Sequence, residues 1–121
     1  MTLTEALTAW LVERLGLQYA GPEWPATEDT LPAAVVEPAV AEPPMTCGGE
    51  VGLRHNVTLV SSVAGAPDED ARAELAALDL ALREALLRQR TPPTGATWTH
   101  ITGEQIETTP AASRWQITVY G

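Results

Sequence analysis

Four side chains of this sequence are of types that do acid–base or ligand chemistry near neutral pH: His55, His100, Glu104 and Glu107. Acid–base work needs two groups with separated pKa values in one pocket, and these four supply the groups without a recognisable spacing. His55 has no second histidine or cysteine at ligand spacing and no carboxylate close by in sequence, so it reads as a structural histidine before it reads as a metal ligand or base. Cys47 is the single cysteine, which forbids an intrachain disulfide and a thiolate cluster. It reads as a loop thiol in a reducing compartment, not a reactive one. Asn56-Val57-Thr58 matches a glycosylation sequon, a match without meaning in the absence of a secretion signal. The sequence thus offers no catalytic, cofactor-binding or metal-ligating set, and the expected cofactor is none.

Charge excludes more. Sixteen acidic residues stand against seven basic ones, all arginine, for a formal net charge of −9 across 121 residues. The average field repels a polyanion, so primary nucleic-acid binding is not expected. The excess reads as solubility or as a surface that must not stick to DNA passing nearby. No apolar run approaches the ~20 residues of a membrane span, and the amino terminus lacks a basic and an apolar signal region, so a cytoplasmic protein without a membrane partner is expected.

The elements that would position any site follow from periodicity. Thr2 with Glu5 three residues on forms a capping box; Leu3, Ala6, Leu7, Trp10, Leu11 and Leu15 line one helical face, and Gly16 supplies a left-handed stop. From Gly21 to Gly49 prolines recur with acids and small residues, which rules out a central strand or long helix and leaves an edge strand, Ala33–Glu37, with a long arm after it. Arg54–Val63 alternates as a half-buried antiparallel strand, with His55, Val57 and Leu59 on one face and Arg54, Asn56 and Thr58 on the other. Asp68 caps a second helix running to about Arg90, with Ala71, Leu75, Leu78, Leu82 and Leu86 as its stripe. Leu80 and Leu87 lie off that stripe. They widen the apolar arc, either because the helix is deeply buried or because the extra arc meets another subunit. Trp98–Thr102 and Arg114–Tyr120 read as a closing antiparallel pair joined by a projecting segment, Gly103 to Ser113.

The expectation is therefore one α+β domain over residues 1–121: an antiparallel sheet of about four strands with two helices packed on one face, in the order α-β-β-α-β-β. A Pro/acid-rich arm at about 38–50 and a projecting loop at about 103–113 leave its core.

The Leu31-Pro32 lead into Val35-Val36, the run RHNVTLVSSVAG followed by DEDARAELAALDLALREAL, and the last strand SRWQITVYG resemble the tail terminator (tail completion, minor tail) proteins of long-tailed bacteriophages and phage-like particles. The likeness is one of element order and covers most of the chain, although the 21–49 region is longer and more acidic than that family leads one to expect. What the resemblance implies is a virion structural protein without catalytic residues. Assembled in the bacterial host cytoplasm, its subunits form a ring, usually a hexamer, at the tail or neck that caps the tail tube and joins it to the head. The implied partners are other copies, a tail tube protein and a neck or head-completion protein, with DNA passing through the lumen without specific binding. A head–tail connector or head-closure protein is the near alternative, and a small ligand-binding domain around His55, His100, Glu104 and Glu107 the distant one.

A ring subunit needs two different patches that meet head to tail. The arm and the loop are the two excursions available, and the residues expected at the contacts are Trp24, Glu42, Glu104, Glu107 and Thr109.

Overall fold

A computed structural model describes residues 2–25, 27–42, 52–62, 68–88, 100–109 and 112–120. In chain order these form α1 (Leu3–Leu15), β1 (Tyr19–Gly21), a 3-10 turn (Glu28–Thr30), β2 (Ala33–Val36), β3 (Val40–Glu42), β4 (Gly52–Val60), α2 (Glu69–Arg88), β5 (His100–Thr108) and β6 (Ala112–Tyr120). The fold is α+β, with two helices and a mixed sheet of six strands ordered β1-β2-β4-β6-β5, β3 pairing with β4 off that path.

Both helices begin, and α1 ends, where the capping chemistry allows. Thr2 Oγ1 accepts from the Glu5 backbone N–H at 3.1 Å, and Gly16, at φ 64°, closes α1 with its own N–H on Val12 O. Asp68 Oδ1 accepts from Ala71 N–H at 2.8 Å and starts α2. Ala6, Leu7, Trp10 and Leu11 of α1 and Leu75, Leu78, Leu82, Ala85 and Leu86 of α2 close over one sheet face. That face contributes Ala34, Val36, Val57, Leu59, Ile101, Trp115, Ile117 and Val119. The expected packing of Val57, Leu59, Trp115, Ile117 and Val119 against Leu75, Leu78 and Leu82 is present, and Trp10 is fully buried.

The sheet differs from the four antiparallel strands expected. The residues just after α1 form β1, which runs parallel to β2 with Tyr19 opposite Ala33 and Gly21 opposite Val35. The five residues between Gly16 and Pro22 carry no periodicity, so nothing local announces this strand. Part of the expected arm is also strand: β3 lies antiparallel on β4, with Val40 opposite Arg54. Val36 faces Val57, so four residue steps on one side match three on the other, and the extra residue is a bulge around Pro38. There the missing proline N–H has no ladder acceptor to satisfy, while Glu37 N–H still reaches Asn56 O at 3.0 Å. The rest of the arm, 43–50 with Cys47, lies outside the described residues.

The projecting loop at 103–113 is corrected outright. β5 continues to Thr108 and pairs with β6 from Ala112, leaving a short turn closed by Thr109 N–H on Ala112 O at 2.8 Å. Gly103 within β5 admits α2, because a Cβ there would come within 2.9 Å of Leu86 Cδ1 and 3.2 Å of Ile117 Cγ1. A bulge between Gln105 and Glu107 pushes Ile106 outward, where it is half exposed. Among the described residues no helix is long and apolar enough to cross a membrane.

Candidate functional site

Among the described residues both helices pack on the same face of the sheet, and alternation directs other side chains to the second face. Register places Val35 of β2 opposite Thr58 of β4, Thr58 opposite Arg114 of β6, and Arg114 opposite Glu107 of β5, so these four form one row across four strands. Arg114 Nη1 and Glu107 Oε2 lie 3.6 Å apart as an exposed cross-strand ion pair. Trp24, in the connection between β1 and β2, lies beside this row. Together with Glu37, Thr109 and Ala112 the row and Trp24 line an open concavity of about 250 Å³. Val35 and Thr58 form its buried floor, while the indole is 61% exposed. An aromatic face beside two carboxylates and an arginine can stack on apolar or cationic groups and take hydrogen bonds at its rim.

Three of the five expected contact residues, Trp24, Glu107 and Thr109, therefore converge here. Glu104 sits apart, lining a shallower hollow of about 170 Å³ with Thr102, Gly103, Gln116 and Thr118. Glu42 ends β3 beside Gly52, and its side chain lies outside the description. Glu37, Thr58 and Arg114 were not anticipated. Thr58 and Arg114 do fall on the polar side of their strands' alternation, but register alone shows that they are neighbours.

His55 and Glu107 of the ligand-type set are not brought together. His55 lies on the helix-covered face, opposite Ile117, whereas Glu107 shares the open face with Arg114 and Thr58. The His55 ring is fully buried, and its Nε2 is hydrogen-bonded to Thr4 Oγ1 of α1 at 2.9 Å, a structural tie between helix and sheet. Burial pushes its pKa below the ordinary 6.5, opposed in part by the Leu53 and Ile117 backbone. The side chain of His100 lies outside the description.

A second polar cluster pins α2 to β5 and β6. Trp115 Nε1 donates to Asp79 Oδ1 at 2.9 Å, Gln105 Nε2 donates to Ser113 Oγ at 2.9 Å and to Asp79 Oδ2 at 3.3 Å, and Arg83 Nη2 donates to Gln105 Oε1 at 3.0 Å. The Arg83 guanidinium also stands 5.8 Å from the Trp115 ring centroid. These groups satisfy one another, so the cluster orients the helix and holds nothing in reserve for a substrate.

The outer side of α2 resolves the question its sequence left open. Leu80 and Leu87 are 55% and 67% exposed, and Ala73, Ala76 and Ala77 on the same side are exposed too. The widened arc is thus not consumed by the chain's own core. No protein-family model matches this chain, and none of the curated proteins is similar to it in sequence.

Proposed function

We propose that this chain is a structural subunit that closes into a ring at the head-proximal end of a phage-like tail, terminating the tube and joining it to the neck. The observation that carries this reading is a pair of unlike exposed patches on opposite sides of one sheet: the Ala/Leu stripe on the outside of α2 and the Trp24 concavity on the open face. A head-to-tail contact joins two different patches on successive copies, and where the rotation closes the product is a ring. A net charge of −9 with no lysine suits a lumen through which DNA passes without sticking. The resemblance of the sequence to tail terminators favours the same reading.

In this reading the partners are neighbouring copies within the ring, a tube protein on one side and a neck or head-completion protein on the other. In this reading the role is structural; His55 and Glu107, two of the groups that could do acid–base work, lie on opposite faces of the sheet. The test is a particle made without this chain. The expected product is tail tube of uncontrolled length that fails to join heads, and normally sized, head-joined particles would refute the proposal.

A further inference from the structure

We infer that the groove between α1 and the free edge of β1 takes an extended, basic segment of another protein, which joins the sheet as a further strand. The inference goes beyond the ring reading and does not rest on it. β1 ends the strand order, so among the described residues one side of its backbone has no ladder partner. An edge in that state is a template for one more strand. Beside it lies a hollow of about 580 Å³, lined by Glu5, Ala9, Val12 and Glu13 on the helix side and by Ala20 and Gly21 on the strand side. A strand added to β1 therefore lies against the outer face of α1, and its side chains on that face enter the hollow.

Charge selects the occupant. The walls are apolar at Ala9, Val12 and Ala20, with Val12 36% exposed, and the charges are of one sign. Glu5 and Glu13 are exposed, neither carboxylate has a partner among the described residues, and no basic side chain lines the groove. Their separation along α1 is about 12 Å. Residues four apart on a strand share one face and stand about 13 Å apart, so two basic residues at that spacing meet both carboxylates, with an apolar residue between them against Ala9 and Val12. A second copy does not fit. The other edge strand, β5, would bring the exposed Glu104 and Glu107 toward the same carboxylates, and a two-fold pairing of β1 with β1 would set the Glu5 and Glu13 groups of two helices near one another. The occupant is a strand of a different, basic protein.

The experiment titrates the isotope-labelled full chain with the end-blocked peptide Lys-Thr-Val-Thr-Lys and follows the backbone amides by NMR. Two control peptides separate the contributions: Glu-Thr-Val-Thr-Glu reverses the charge, and Lys-Pro-Pro-Pro-Lys keeps the charges but has no ladder donors between them. The lysine peptide is expected to give saturable shifts in α1 and at Ala20 and Gly21, and the two controls to give none. Glu5→Gln and Glu13→Gln, both at exposed positions and verified as folded by circular dichroism, are each expected to weaken binding about threefold, and E5Q/E13Q about tenfold. No saturable shift at the groove with millimolar peptide, equal binding of the acidic peptide, or indifference to E5Q/E13Q would overturn the basic occupant. Equal binding of the proline peptide would overturn strand addition. Shifts of the same amides as the chain alone is concentrated would give the groove to a second copy and overturn the foreign partner. The ring reading is tested separately, on the particle.

Discussion

Leu82 and Leu80 are the same residue type, two positions apart on α2, and the fold assigns them opposite fates. Leu82 is fully buried in the cluster shared by both helices and the sheet, while Leu80 is 55% exposed. Truncating Leu82 to Ala removes three buried carbons, about 2.4 kcal/mol at roughly 0.8 kcal/mol for each. The cavity left behind brings the expected cost to about 3–5 kcal/mol. For a chain of this size that is a fall in Tm on the order of 10–20 °C. Leu80→Ala removes a side chain that is more than half exposed, and alanine is the slightly better helix former, so its stability should stay within about 1 kcal/mol of the parent. The assay is urea unfolding followed by tryptophan fluorescence, at concentrations low enough to keep the chain monomeric, with equal m-values as the check that only stability has changed. A cost below about 1 kcal/mol for Leu82→Ala, or equal costs at the two positions, would mean that α2 is rotated from the orientation described and that its exposed stripe is not a docking surface.

Two further outcomes follow from single residues. Because burial lowers the pKa of His55, the unfolded chain binds the proton first; stability present above 6.5 should fall as pH drops from that value toward the lowered folded one, and His55→Gln should flatten that part of a pH series of urea midpoints. An unchanged profile would show that His55 does not titrate differently in the fold. At Gly103 the obstructing atom nearest an added Cβ is the tip of Leu86, so Gly103→Ala should cost less than about 1 kcal/mol and Gly103→Val about 1–3 kcal/mol; equal, negligible effects in thermal melts would refute the close approach of α2 to β5.

What the sequence discloses and what it withholds divide along the range of the forces involved. Caps and stripes are local, so Thr2, Gly16, Asp68 and the Leu75–Leu78–Leu82 face can be read directly, and so can the alternation of β4 and β6. Strand β1 is three residues long and gains its hydrogen bonds from β2, a distant segment with no pattern in common. The 103–113 segment reads as a projecting loop because it is long, polar and contains Pro110; in the fold Gly103 is a packing requirement set by Leu86. Of the candidate site, Trp24, Glu107 and Thr109 stand out as aromatic or polar residues without a periodic partner. Their meeting depends on the register Val35–Thr58–Arg114–Glu107, four positions from four strands that no spacing rule connects. Leu80 and Leu87 are visible as excess, yet only the fold shows that the core does not use them.

The most direct measurement of the central claim is a cryo-electron microscopy reconstruction of the intact particle in which this chain is traced. The account predicts a single closed ring of this chain between the last layer of tail tube and the neck. A particle in which the chain lies along the tube, at the far tip or inside the head, or from which it is missing altogether, would contradict it.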